Sequence, residues 1–257
     1  MYTDILYEVE NSIGRITINR PKVMNAWRKN TKEEIVDALK KAGKDTKVKV
    51  VIITGLGDKS FCSGQDLKES KEIEADKADK WITDFDLVYW TIRHFEKLLI
   101  AAVNGIALGS GWDLALLCDF RIASENARFA YTEIDVGFAC ILGITILWNT
   151  LGESLTKELV LTGKFINAED ALRLHLVNKV VTHKDFRKVV DDFAGELTNK
   201  APIATKLNKQ WFCRLTDQAY LDSISFAKEA FTIEYASGEP QKYQNKFFNK
   251  KKKSRNK

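Results

Sequence analysis

Apolar positions along this chain recur with two different spacings. Residues 5–9 and 14–19 read as strands: in G-R-I-T-I-N, Ile16 and Ile18 alternate with polar neighbours, and Pro21 closes the run. Thr31 with Glu34 three residues later has capping-box spacing, and Ile35, Ala38, Leu39 and Ala42 then mark one face of a helix of about three turns. Residues 48–54, V-K-V-V-I-I-T, are a nearly continuous β-branched run, as expected of a strand buried on both faces. The Gly-rich loop G-L-G-D-K-S-F-C-S-G-Q-D-L follows it. Trp81, Phe85, Val88, Ile92 and Phe95 recur at three- and four-residue steps and predict a long amphipathic helix over 75–98. The next strand is 98–103. Beyond residue 143 the pattern predicts a helix at 154–161, a short helix capped by Asn167, and a strand at 177–181. A helix then carries Phe186, Val189, Val190, Phe193 and Leu197 on one face and ends near Asn199. From 203 to 236 the pattern is helical, with no strand signal. Strands alternating with helices predict an α/β core.

Composition narrows this picture. The 257 residues, 45% hydrophobic and 29% charged, describe an ordinary globular protein. A change of character at Ala201-Pro202 divides it into a core, residues 1–200, and a helical C-terminal segment, residues 201–257. The N-terminus is too polar for a secretory signal and no apolar run reaches membrane-spanning length, so a cytoplasmic location without membrane contact is expected. Cys62, Cys118, Cys140 and Cys213 lie far apart among mostly apolar neighbours and read as reduced core residues. No spacing suggests zinc, and the scattered His94, His175 and His183 predict no metal site. The net charge of +5 belongs to the tail: residues 246–257 hold seven basic and no acidic residues, and without those seven the remainder stands at −2. Such a lysine run reads as a solvated, mobile end, and nothing in the body suggests a nucleic-acid partner.

Candidate chemistry concentrates between residues 104 and 143. An apolar strand turns there through Gly105, Gly109 and Gly111 into an apolar helix, and two acids, Asp113 and Glu133, stand in hydrophobic surroundings. Free N–H groups at a helix start, beside acids that burial can retune, suit catalysis.

Five ordered motifs then carry a resemblance: N-R-P-K-V-M-N-A (19–26), F-C-S-G-Q-D-L (61–67), A-A-V-N-G-I-A-L-G-S-G-W-D-L-A-L-L-C-D (101–119), R-F-A-Y-T-E-I-D-V-G (128–137) and L-T-G-K-F-I-N-A-E-D-A (161–171). Together they resemble the crotonase superfamily, the enoyl-CoA hydratase/isomerase family, over roughly residues 5–200. The resemblance implies a right-handed spiral of ββα units with a helical C-terminal part, acyl-CoA thioester substrates, and trimers or dimers of trimers. It implies no cofactor beyond the coenzyme A that the substrate carries. The oxyanion donors of the family fall on the backbone N–H groups of Gln65 and Ser110, and its two acids on Glu133 and Asp113. Coenzyme A would run along Met24 to Ala26 and the loop Gly64, Gln65, Asp66, Leu67, with Lys22 and the lysines after Phe247 near its phosphates.

The implied reaction is reversible hydration of a 2-enoyl-CoA to a 3-hydroxyacyl-CoA through an enolate held by the oxyanion donors. Departures from the family pattern keep alternatives open. Serine stands at 110 where relatives carry glycine, and Asp113 is one methylene shorter than the glutamate of hydratases. The pair also resembles dienoyl-CoA isomerases, but the further aspartate of that branch is here Ile141. Residues 140–144, C-I-L-G-I, are bulkier than the hydratase pattern. A 3-enoyl to 2-enoyl isomerase needs only one proton-shuttling carboxylate, which Glu133 alone supplies. A non-catalytic acyl-CoA or RNA binder on the same scaffold is the third alternative.

Overall fold

The computed structural model describes residues 1–255, and at Ala75, Ala78 and residues 250–255 it describes the backbone alone. A hairpin, β1 (Ile5–Glu10) and β2 (Ile13–Ile18), leads into helix α1 (Lys29–Lys44). Three units follow: β3 (Val50–Gly55), β4 (Ser60–Cys62), α2 (Leu67–Ser70) and α3 (Ala78–Arg93); then β5 (Leu98–Val103), β6 (Ile106–Leu108) and α4 (Ser110–Leu116); then β7 (Phe120–Ser124), β8 (Arg128–Ala130) and α5 (Ile141–Thr162). The remainder is β9 (Ile166–Asn167), α6 (Ala168–Arg173), β10 (Lys179–Val181), α7 (Phe186–Leu197), α8 (Pro202–Ser237) and α9 (Glu239–Arg255).

Each unit gives its first strand to one sheet and its second to another. The larger sheet has the order β1-β2-β3-β5-β7-β10, parallel except for the β1–β2 pair. The smaller one runs β4-β6-β8-β9. This is the ββα spiral with a helical C-terminal part that the resemblance implied.

The apolar run in β3 is explained by cover on both faces. Val51 and Ile53 pack with the helices α1 and α3 in the main core, whereas Val50 and Ile52 join Ile100, Ala102 and Ile122 under Val190, Ala194 and Leu197 of α7. Burying alternate side chains in two separate cores makes every position apolar. No helix among the described residues is long and apolar enough to cross a membrane.

Several local expectations need correction. Helix α1 starts at Lys29, before Thr31, whose hydroxyl accepts from the Arg28 N–H (3.2 Å). The Glu34 carboxylate instead accepts the N–H groups of Thr3, Asp4 and Ile5, tying α1 to the hairpin. The helix expected over 75–98 occupies Ala78–Arg93. Helix α5 begins at Ile141, well ahead of residue 154, and is broken at Gly152, whose φ of 68° departs from helical values. Helix α9 runs from Glu239, with Gln244 fully buried, into the lysine run as far as Arg255; the side chains of the terminal lysines lie outside the described residues. Asn167 caps α6 as expected, accepting from the Asp170 N–H (2.7 Å).

Candidate active site

The parallel pairing of β4 with β6 places the loops that leave them side by side. Glycines set how close those loops come. A side chain at Gly111 would collide with the Cys62 carbonyl oxygen, and one at Gly64 (φ 84°) would lie 2.7 Å from that of Leu108. Ser110 is the first residue of α4, and the helix's own bonding starts after it, with the N–H groups of Trp112 and Asp113 donating to Gly109 O (2.7 and 3.0 Å). Its N–H therefore makes no intrahelical bond and points toward the Glu133 carboxylate. Across the gap, Trp27 N–H donates to Gly64 O (3.0 Å) and Asp66 N–H to Trp27 O (2.9 Å), bonds that leave the Gln65 N–H without a backbone partner among the described residues.

The serine at 110 is accommodated by Trp27, whose indole Nε1–H donates to Ser110 Oγ (2.9 Å). The Gln65 side chain is likewise tethered. Its Oε1 accepts from Lys32 Nζ (3.3 Å) and its Nε2 donates to Glu69 (2.7 Å). Lys32 is buried with its ammonium 3.6 Å from the centre of the Phe85 ring, and burial pushes its pKa down to about 8.

Asp113 faces inward from α4 and is 4% exposed. Each of its oxygens accepts a tyrosine hydroxyl: Oδ1 from Tyr131 (2.6 Å) and Oδ2 from Tyr89 (2.8 Å). Burial raises its pKa to about 6, and the two hydroxyls pull it back toward the ordinary carboxylate range.

Glu133 opens a short 3₁₀ turn (Glu133–Val136) just beyond β8. A side chain at Gly109 would sit on its carboxylate, so this glycine, at φ 51°, clears the space for Glu133. Part of the residue is exposed, yet Oε2 is shut off from solvent with no hydrogen-bond partner among the described residues. Burial first, then the negative charge of Asp113, raise its pKa to about 8, while its own N–H and that of Ser110 pull the other way. The two acids repel each other across the site, so ionisation of either one holds the other's proton more tightly.

Of the residues expected along coenzyme A, Gly64 is buried, Gln65, Asp66 and Leu67 are half-buried, and Met24 and Ala26 lie next to the loop, with Ser63 N–H donating to Met24 O (3.1 Å). Lys22 is exposed. Asp66 has structural partners as well: it caps α2 through the Lys68 N–H (3.1 Å) and accepts from Arg20 Nη2 (2.9 Å).

Sequence reasoning missed Trp27, Lys32, Tyr89 and Tyr131. Trp27 and Tyr131 adjoin or lie inside quoted motifs, but only the folded chain shows what their polar atoms reach. It also missed that His94, Cys213 and Asp217 come together, with the His94 Nε2 3.6 Å from Asp217. Arg93 already neutralises that carboxylate, donating to Oδ1 (2.8 Å) and to Thr216 (2.9 Å). A cleft of about 370 Å³ beside this cluster touches none of the groups around Glu133.

Comparisons agree with the geometry. A family model described as enoyl-CoA hydratase/isomerase matches residues 8–255. The short-chain-enoyl-CoA hydratase of Clostridium acetobutylicum is 37% identical over 229 residues, which are 89% of this chain and 88% of that protein. The crotonyl-CoA hydratase of Syntrophomonas wolfei is 36% identical over 252 residues, 98% and 97% of the two chains. A solved enoyl-CoA hydratase/isomerase from Xanthobacter autotrophicus Py2 superimposes with a TM-score of 0.86 at 31% identity, covering 97% of this chain and 93% of that one. With a family model matched over residues 8–255 and relatives 36–37% identical across most of its length, this chain belongs to the enoyl-CoA hydratase/isomerase family.

Proposed function

We propose that the protein adds water reversibly across the double bond of a short-chain 2-enoyl-CoA, giving the 3-hydroxyacyl-CoA. The observation that carries this reading is the Glu133 carboxyl, buried beside the start of α4 with Oε2 unpaired. The thioester oxygen accepts from the N–H groups of Gln65 and Ser110. These are fixed donors that cost no reorganisation as the enolate forms, each worth on the order of 10²–10³ in rate. Glu133 exchanges the proton at the α-carbon. The hydratase names of relatives at 36–37% identity support water addition, and two of them point to a short acyl chain. Coenzyme A lies along Met24, Ala26 and the loop 64–67, and the reaction draws on no further cofactor.

Self-association into trimers or pairs of trimers is part of the same reading. Helix α8 exposes Ile203, Leu207, Trp211, Phe212 and Leu215, an apolar surface suited to a neighbouring copy. A cytoplasmic location is also part of it.

One observation favours a second reading, isomerisation of a 3-enoyl-CoA: both oxygens of Asp113 already accept tyrosine hydroxyls. Crotonyl-CoA and a 3-enoyl-CoA, supplied separately with products identified by mass and position of unsaturation, decide between them. Hydration predicts loss of conjugated absorbance and a gain of one water. Gain of conjugation with no mass change overturns it in favour of isomerisation, and tight acyl-CoA binding without turnover overturns both.

A further inference from the structure

The two tyrosines on Asp113 have no part in the scheme above, and their setting is built. Tyr89, on α3, and Tyr131, just after β8, are both 0% exposed. The Tyr131 ring stacks on Trp112 (centroids 4.8 Å apart, planes at 26°), and its other contacts include the start of α5, where Gly143 has no room for a side chain against it. Tyr89 packs beside Trp27 and Phe85. Neither hydroxyl can swing away without unpacking an aromatic cluster, so Asp113 is held in one orientation by two short charge-assisted bonds.

A carboxylate held in this way is a poor base. Hydroxyls that donate to the charged form stabilise it, and a proton arriving from water must compete with them. Glu133 differs on both counts, since its Oε2 has no partner and no hydroxyl holds it among the described residues.

We propose that Tyr89 and Tyr131 are positioning residues: by fixing Asp113 as an ionised neighbour, they leave Glu133 as the only group that carries protons in the reaction. The inference rests on the hydratase reading. In the resulting step the water oxygen bonds to the β-carbon while the proton it releases goes to the free oxygen of Glu133. The O–H on the other Glu133 oxygen breaks, and its proton forms the new C–H bond at the α-carbon with the electron pair of the former double bond. Glu133 ends protonated on the opposite oxygen, and a half-turn of its carboxyl then regenerates the enzyme without exchanging a proton with solvent.

The electrostatics agree. Among the described residues, the titratable groups facing Glu133 are Asp113 on α4, Tyr89 on α3, Tyr131 after β8 and Cys140 ahead of α5, and none of these is a cation. Burial first, and then the negative charge of Asp113, push the pKa of Glu133 up to about 8. If Asp113 loses a hydroxyl it accepts a proton more readily, its repulsion of Glu133 weakens, and Glu133 ionises at lower pH.

The test is the pH profile of kcat/KM on crotonyl-CoA for the wild type, Tyr131→Phe, Tyr89→Phe and Asp113→Asn. In all three variants the basic limb moves to lower pH, by about half a unit to one unit for each tyrosine. Asp113→Asn slows turnover by no more than about tenfold, because no proton passes through Asp113. A basic limb that stays in place in both tyrosine variants, or a loss of about a thousandfold in Asp113→Asn, overturns the proposal.

Carbon-13 NMR titration of the labelled carboxyls in wild type and Tyr131→Phe reads the same coupling without turnover. It expects Asp113 to titrate higher and Glu133 lower, and unmoved titrations overturn the proposal. If the wild type isomerises a 3-enoyl-CoA and does not hydrate crotonyl-CoA, the hydratase reading fails by itself, and the clamp is judged on the isomerisation profile.

Discussion

Replacing Ser110 by proline removes one atom of interest, the amide hydrogen assigned to the thioester oxygen. Position 110 is the first residue of α4, where proline fits the helix because its N–H makes no intrahelical bond. The substitution also removes the hydroxyl that accepts from Trp27 Nε1 (2.9 Å), leaving that indole N–H unpaired at a cost of about 1 kcal/mol. Ser110→Gly isolates this second effect, since it loses the hydroxyl and keeps the amide. Removing one oxyanion donor costs about 10²–10³ in turnover, because charge on the oxygen develops in the transition state and not in the bound ester. The assay is the loss of conjugated absorbance of crotonyl-CoA, with kcat and KM separated, alongside thermal melts. Ser110→Gly is expected within a few-fold of wild type, and Ser110→Pro about a hundredfold or more below Ser110→Gly, with the loss in kcat. Comparable melting temperatures and turnover within tenfold of each other in the two variants would refute the assignment of the Ser110 N–H.

Gly111→Ala pushes its new methyl group onto the Cys62 carbonyl and must part the two loops by about 1 Å, so turnover falls on the order of 100-fold with some loss of melting temperature. Gly195→Ala, in α7 with open space around it, is the steric control and raises stability by about 0.5–1 kcal/mol with activity unchanged. Glu133→Gln abolishes turnover. Its effect on stability depends on pH with a definite sign: burial raises the folded-state pKa of Glu133 to about 8, so the wild type loses stability as pH climbs from the ordinary carboxylate range toward that value. The melting temperature of Glu133→Gln relative to wild type therefore rises between pH 5 and pH 8, by about 2–4 °C for each kcal/mol, and a constant difference would contradict the buried-acid account. Trp211→Glu, on the exposed apolar surface of α8, shifts the sedimenting species toward the monomer.

How far the sequence could be read varies along the chain. The β3 and β5 runs were legible because strands covered on both faces leave no polar positions, and the Asn167 cap because a side chain bonding three residues ahead is a local event. Thr31 and Glu34 misled for the opposite reason. Their spacing fits a local cap, but the backbone N–H groups of Thr3, Asp4 and Ile5, some thirty residues away, compete for the Glu34 carboxylate. The first half of α5 was missed because its residues 141–147 are nearly all apolar, so no polar face marks a helical period. Gly143 is there for contact with Tyr131, whereas Gly152 does break the helix.

By itself the sequence determined an α/β core, because hydrophobic period acts over a few residues and survives in the linear text, and its five ordered motifs carried the resemblance that implied the ββα spiral, the family and the candidate N–H groups and acids. The state of those acids was decided only by the tertiary structure. Asp113 is held by Tyr89 from α3 and Tyr131 just after β8, and Glu133 is pushed up by burial and by the charge of Asp113. Electrostatics and hydrogen bonding act through space, between residues that the chain separates by 18 to 24 positions.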